Sequence, residues 1–433
     1  MTTTSPSRVT EFAELLRKEL GERLVSTDAR MIRRVSSDWA RLSPILMEKI
    51  PPGRYLADVA VRPTDPEQVP ALLALAYEHD VPVTPRGAGT GNYGQATPFS
   101  GGVLLDLRGL DEVLSVEEGL VRTQPGARLT VVDRAVREAG ADLWIFPSTK
   151  GSSLGGFIGG GSAGTGTIEH GTTGDGWVSE LRIAPCDGTG STFTVSGADA
   201  LAYIHAYGVT GIITELTVRT TPAREWVAFY ASFDTYAAAV EVHRALPGLA
   251  VLPRLASADE PRLVANLPAP VDLEPDRVSL RIILESSTVA EVSDRVRAAG
   301  GAVVAVLEGY GQTDRLSTMS YNHPIFFLQQ SGYPCFHLEV GGLPLWDDPD
   351  AVRSVYPNSM IHLELGANGP IGMLVADYES EERVLAGFAE LESIGIGIHS
   401  PHQWNVDRHL EQILATVPRT DPKGLLNPGK LNL

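Results

Sequence analysis

Residues 85–94 read PRGAGTGNYG, and residues 151–166 read GSSLGGFIGGGSAGTG. Glycine gives up side-chain packing and costs backbone entropy, so such runs mark places where the chain turns tightly or meets a ligand closely. Successive free N–H groups in a turn of this kind form a concave nest for phosphate. Two nests imply a long ligand with a diphosphate, gripped at two places, as a dinucleotide would be. The flanking chain sets the first run at a strand end. Residues 59–61 predict a short strand. Thr64 and Glu67 predict a capping box with Pro66 in the first turn, and apolar spacing through Tyr77 predicts a helix. Residues 81–84 return as a strand, which makes a β-α-β unit with parallel strands. Ligands of open α/β sheets lie at such strand ends. A G-x-G-x-x-G fingerprint needs a helix opening on its last glycine. Gly87, Gly89 and Gly91 are too tightly spaced for it, and no helix is predicted over 93–99. Phosphates are therefore expected in loop nests, not in a Rossmann turn.

Outward from the glycine runs, a helix over 12–20 is predicted to stop at Gly21, and one over 130–139 to stop at Gly140. Strands are predicted at 103–107, 121–124, 178–184, 192–195 and 212–218. From Trp226 the order becomes strand 227–232, helix 236–246, a short strand near Val251 and strand 278–284. A helix capped by Thr288 and Glu291 then ends at Gly300, and strand 303–307 follows. That is a β-α-β-β-α-β pattern. Strands at 336–340, 360–365 and 371–376 and a helix over 379–392 come after it. The change of punctuation after Pro222 places a boundary at 221–224.

The chain has 433 residues, enough for two or three domains, with 43% hydrophobic and 20% charged residues. A formal charge of −18 argues against nucleic acid or an anionic membrane as partner. Cys186 and Cys335 stand far apart, with neither a disulfide framework nor zinc spacing, so a reducing cytoplasm is expected. Residues 1–20 show no apolar signal core, and no stretch is apolar for long enough to span a membrane.

The segments VRPTDPEQV (61–69), PRGAGTG (85–91), GGVLLDLRGL (101–110), QPGARL (124–129), GSSLGGFIGGG (151–161), EHGTTGD (169–175), YGVTGIITELTVRT (207–220) and DPKGLLNPGKL (421–431) follow one another in a known order. On them the chain resembles the FAD-linked oxidases of the vanillyl-alcohol oxidase and p-cresol methylhydroxylase type. It is most similar to the branch of glycolate oxidase and D-lactate dehydrogenase flavoprotein subunits. The resemblance implies an α+β fold. A two-subdomain FAD-binding domain (1–224) would carry a ferredoxin-like α+β cap for substrate (225–412), with a return to the FAD-binding domain at 413–433. It implies that Arg86, Gly87, Ala88, Gly89, Thr90, Gly91 and Asn92 wrap the pyrophosphate. Ser153, Leu154, Gly155, Gly156, Gly161, Ser162 and Gly164 would line the flavin and adenine sides. His170 and Gly171 match the step before the family's TT, and Val209, Gly211, Ile212 and Ile213 would meet the adenine end. Many relatives have a histidine where this chain has Thr90, and neither cysteine lies in the runs, so FAD is expected to be non-covalent. The family's Asn in N-A-G-G is Gly161 here.

The later histidines sit in SYNHP (320–324), FHLEV (336–340), IHLEL (361–365) and HSPHQWNVD (399–407). His337 with Glu339, and His362 with Glu364, are i, i+2 pairs, so each pair shares one strand face. A polar, hydrogen-bonded sheet face is the plain expectation for them. Two such strands offer N/O ligands for a metal, but the branch's H-G-D-G-N metal-and-substrate motif is missing, and no metal ligands are assigned. Oxidising a CH–OH carbon needs a base for the hydroxyl proton while hydride goes to flavin N5. His323 and His402 are the candidate bases, with Tyr321 and Asn405 as polar positioners. The expected activity is oxidation of a small alcohol, phenolic alcohol or 2-hydroxy acid, with oxygen or another acceptor taking the electrons. For an acid, Arg254, Arg281 or Arg315 is expected to clamp the carboxylate. The alternatives are an FAD-binding subunit with little activity alone, or a phosphate-ligand binder without flavin. A homodimer is the expected assembly.

Overall fold

The structure, a computed structural model, describes residues 6–38 and 42–431. Three sheets carry it. The first has the order Val25–Ser26, Val59–Val61, Val103–Asp106, Val83–Arg86. Val59–Val61 and Val83–Arg86 both run parallel to Val103–Asp106, which lies between them. The β-α-β unit is thus present with a third strand inserted at its centre. The helix Pro6–Leu20 packs Phe12, Leu16 and Leu20 into this core and ends at Gly21, whose φ is 111°.

The helix Gln68–Glu78 starts differently from the expectation. The Gln68 side chain accepts from the Thr64 and Asp65 N–H groups, and Glu67 reaches out to Arg182. A side chain one residue later closes the turn, so the Thr64–Glu67 box does not form. Thr288 likewise makes no side-chain cap, and Glu291 pairs with Arg295 one helical turn on.

The second sheet is antiparallel, in the order Val113–Glu117, Leu120–Thr123, Ile212–Pro222, Val178–Ala184, Phe193–Ser196, with Ala141–Leu143 on the far end of Ile212–Pro222. Between the first two sheets runs the second glycine segment. It is not wholly a loop: Leu154–Gly160 is a short helix, with Ser153 Oγ accepting from the Gly156 N–H.

The third sheet has eight antiparallel strands. Ala302–Glu308, Trp226–Phe233, Val278–Glu285 and Leu255–Asp259 come first, the order of a ferredoxin-like unit. Met360–Gly366, Gly369–Asp377, Cys335–Gly341 and Gly397–His399 extend it. Because strand side chains alternate, its faces differ sharply. Phe229, Leu280, Ile282, Leu338, Ile361 and Leu363 fall on one side, in the core under the helices Tyr236–Ala245, Val289–Ala298 and Glu381–Ser393. Arg281, Asp259, His362, Glu364, His337 and Glu339 fall on the other, and it is this polar side that turns toward the glycine runs.

The chain comes back to the first half by Trp404–Asp407. Val406 packs with Ala206, Tyr207 and Val209, and Leu425 to Asn427 then hydrogen-bond along Val83.

Candidate functional site

A cavity of about 760 Å³ lies between the glycine runs and the polar face of the eight-stranded sheet. Backbone makes one wall because side chains have no room there. A Cβ on Gly87 would stand 2.2 Å from Ser153 Oγ, and Gly89 holds φ at +72°. Thr90 Oγ1 lies 2.6 Å from Ser152 Oγ, which ties the two runs together.

Most of the residues expected to hold the dinucleotide line this cavity. Arg86, Gly87, Ala88, Gly89, Thr90, Gly91, Asn92, Ser153, Gly155, Gly156, Gly161, Ser162, Gly171, Gly211, Ile212 and Ile213 are all on its wall. Arg86 differs in role, since its guanidinium donates backwards to the Val35 and Ser37 carbonyls, so it braces the loop from behind. Leu154 and Val209 are in the apolar cores. Gly164 takes part through its carbonyl, which accepts from Tyr321 Oη at 2.9 Å. His170 is away from the wall and stacks on Trp144 with ring centroids 4.7 Å apart.

Of the four candidates for catalysis, two reach the cavity. Tyr321 sits at φ 53°, with its N–H on Glu364 Oε1 at 2.9 Å. Burial pushes its phenol far above the usual range, so it stays protonated. His323 lies on the wall as the first residue of the helix His323–Gln330, where Pro324 fits the first turn. Its Nδ1 faces the Thr318 carbonyl at 2.7 Å and must donate, so Nε2 accepts from Thr149 Oγ1 at 2.8 Å. Burial lowers its pKa, which keeps the ring neutral. The other two lie off the wall. His402 is buried beside Phe336, with Nδ1 2.7 Å from Ser43 Oγ, and burial pushes its pKa down to about 3. Asn405 follows it in the same turn, its N–H on Gln403.

The H-x-E strands supply what those two do not. Glu364 is fully buried and lines the cavity. Its Oε1 receives Ser257 Oγ, the Tyr321 N–H and His362 Nε2, each within 2.9 Å. Its Oε2 has no partner. Behind it, His362 Nδ1 meets Asp259 at 2.8 Å and Asp259 meets Arg281 at 2.5 Å. Burial opposes a charge on His362, but Asp259 and Glu364 outweigh it and raise its pKa to about 9.

Glu339 accepts from Tyr93 Oη and lies 2.8 Å from His399 Nδ1. Burial works against its charge, and His399 and Tyr93 outweigh that and hold its pKa near 2. His205 and Tyr207, from the first half, complete this corner. Alternation showed that each H-x-E pair shares a face, but not that the face bounds a cavity. The two pairs do not converge on a common point: His362 is held by carboxylates, and neither nitrogen of His337 has a hydrogen-bond partner. None of Arg254, Arg281 and Arg315 is on the cavity wall. Arg281 is fully buried against Asp259, and Arg254 donates to the Leu143 carbonyl.

Residues 57–194 match the family described as an FAD binding domain. Over 196 residues the chain is 31% identical to an uncharacterized FAD-linked oxidoreductase of Mycobacterium tuberculosis, covering 42% of each. Over 228 residues it is 30% identical to glycolate oxidase subunit GlcD of Bacillus subtilis, covering 49% of this chain and 48% of that one. The chain thus spans under half the length of these curated relatives. Among solved structures, an alkyldihydroxyacetonephosphate synthase superposes with a TM-score of 0.78 at 18% identity, covering 99% of this chain and 86% of the other. The 4-ethylphenol oxidase from Gulosibacter chungangensis gives 0.68 at 16%, covering 99% and 97%. These two show the α+β fold. The resemblance read from the sequence stands: the chain carries an FAD binding domain, and FAD is its cofactor. The backbone wall fits that cofactor, since both glycine runs line one cavity and leave no room for side chains at Gly87 and Gly155. Among the described residues no helix is long and apolar enough to cross a membrane.

Proposed function

We propose, from the premise that this is an FAD-linked oxidoreductase, that it oxidises the CH–OH carbon of a small uncharged alcohol or phenolic alcohol. The observation that carries this reading is Glu364, whose free Oε2 is buried on the cap side of the FAD cavity. FAD held by the two glycine runs would supply the hydride acceptor. The chain's own part is the proton. Glu364 Oε2 accepts the donor's hydroxyl hydrogen and takes the proton as the carbon is oxidised. The Tyr321 N–H and Ser257 hold Oε1 and so aim the carboxylate. Tyr321 and His323 frame the same end of the cavity, the first as a protonated phenol and the second as a neutral ring.

Charge supports a neutral donor over a 2-hydroxy acid. A carboxylate calls for a bidentate arginine. Of the two arginines on the wall, Arg86 is turned away and Arg408 stands beside Asp407, while His399 is already held between carboxylates. Thr90 at the loop and two cysteines off the wall support non-covalent FAD.

The test is anaerobic mixing of the purified protein with a panel of alcohols, phenolic alcohols and 2-hydroxy acids, following the flavin band near about 450 nm. Bleaching by neutral donors is expected, and bleaching by acids alone would overturn the reading. Glu364→Gln should slow bleaching by about 10²–10⁴-fold with flavin content unchanged. The flavin should pass into the supernatant on acid precipitation. A second reading, an FAD-binding subunit with little activity alone, is supported by the printed name of the Bacillus relative, a subunit. Copurifying partner chains and no bleaching by any donor would favour it.

A further inference from the structure

Three side chains that the proton transfer does not use meet beside Glu339, two of them, His205 and His399, on the cavity wall. We propose that His205, His399 and Asp407 bind one divalent transition-metal ion. Both imidazoles turn Nε2 toward one carboxylate. His399 Nε2 is 2.9 Å from Asp407 Oδ2, and His205 Nε2 is 3.7 Å from Asp407 Oδ1. The three ligand atoms lie within 4.8 Å of one another.

Without an ion, His399 and Asp407 form a 2.9 Å ion pair in which Nε2 makes no well-aligned hydrogen bond, and the 3.7 Å from His205 to Asp407 is too long for one. The opposite nitrogens are both engaged. His399 Nδ1 donates to Glu339 Oε2 at 2.8 Å, and His205 Nδ1 donates to the Gly161 carbonyl at 3.2 Å. Metal-bound histidines are oriented in this way, one nitrogen on a carboxylate or backbone carbonyl and the other on the ion. With bonds of about 2.1 Å, ligands at right angles lie about 3.0 Å apart and opposite ones about 4.2 Å. The His399–Asp407 distance already fits, and the widest pair closes by less than about 1 Å.

The backbone supports the same reading. His205 and Tyr207 both hold left-handed conformations, at φ 53° and 52°. Each costs roughly 1 kcal/mol in a residue with a Cβ, and such strain clusters at functional sites. It turns both rings onto the cavity wall. Tyr207 Oη, 3.1 Å from His205 Nε2, gives up that lone pair to the ion. Arg408 is the neighbouring cation, and the Asp407 and Glu339 carboxylates offset it. Two imidazoles and one carboxylate select zinc, iron(II) or cobalt(II) over magnesium or calcium. Three protein ligands leave coordination positions open to the cavity, as catalytic sites do and closed structural sites do not.

The test uses FAD-loaded protein, chelator-treated and dialysed, titrated with zinc chloride in a calorimeter. One equivalent per chain is expected. His205→Gln and Asp407→Asn should each weaken binding by at least about 10-fold, with the flavin absorbance of each variant reporting that it is folded. If a variant loses flavin, cobalt(II) added to the wild type decides: d–d bands to the red of the flavin support the site. No stoichiometric zinc, equal affinity in both variants, or no cobalt bands would overturn it. None of these readouts depends on which donor is oxidised, so the site and the proposed activity fail separately.

Discussion

A methyl group on Gly89 would meet Arg86 Nη2 at 2.0 Å, at a φ of +72° that only glycine holds without strain. Gly89→Ala should therefore push the guanidinium off the Val35 and Ser37 carbonyls that anchor the loop. A loss of about 2 kcal/mol or more is expected from the backbone and the lost charged hydrogen bonds together. Urea unfolding would measure it, and the ratio of flavin to protein absorbance should fall. At this scale the sequence was legible where backbone chemistry decides: the glycine runs announced a close-approach wall. It was less legible for side chains that depend on distant partners. His402 beside proline suggested a reactive loop, but Ser43, 359 positions away, pulls the ring into the interior. Glu364 was seen only as half of a strand pair, because its significance comes from an oxygen that nothing else occupies.

At the scale of elements, histidines of opposite kinds pack on and around the eight-stranded sheet. Burial depresses His243 and His337 to about 4 and His402 to about 3. Unfolded, such rings titrate near about 6.5. Between that value and the folded one the unfolded chain binds more protons, so stability falls as pH drops through this window. His362 has the reverse sign. Its raised pKa of about 9 stabilises fully below about 6.5, and that contribution is lost as pH rises toward 9. A melting temperature highest near pH 6.5 is expected, measured by scanning fluorimetry across pH 4.5–9.5. His402→Asn should flatten the acid limb and His362→Gln the alkaline limb. Elements themselves were largely readable from periodicity. The β-α-β-β-α-β order holds, with the strand expected near Val251 formed at Leu255–Asp259. What periodicity lacked was pairing: that Val103–Asp106 enters between two sequential strands, and that a second group of four strands extends the cap sheet. Helix starts also slipped by one residue where Gln68 took the place of Glu67.

Across the whole molecule, the two halves are joined at a buried charge cluster. Lys150 Nζ lies 3.2 Å from Asp133 and 2.9 Å from Asp314, linking the helices Leu129–Glu138 and Tyr310–Ser317. Lys150→Met leaves Asp133 buried beside Tyr310 with Arg137 at 3.6 Å. A loss of about 2–4 kcal/mol is expected, part of it recovered in the Asp133→Asn/Lys150→Met double variant. Chemical denaturation of both would check it. FAD held in the cavity lined by both halves would bind the assembled state alone. At a thousandfold excess over its dissociation constant it should stabilise by about 4 kcal/mol, visible as a rise in melting temperature with FAD concentration.

The tail has a consequence for synthesis. Leu425 to Asn427 complete hydrogen bonds along Val83, and the fully buried Lys430 ties to the Gly94 carbonyl, 336 positions earlier. At about 5–20 residues per second, a ribosome needs on the order of 20–70 s between making Gly94 and making Lys430. Through that interval the first sheet lacks its neighbour at Val83 and the glycine loop lacks its anchor. The cradle closes only after Lys430 has been made, so cofactor loading must wait for that residue, and the first half waiting for it is the stretch most in need of a chaperone.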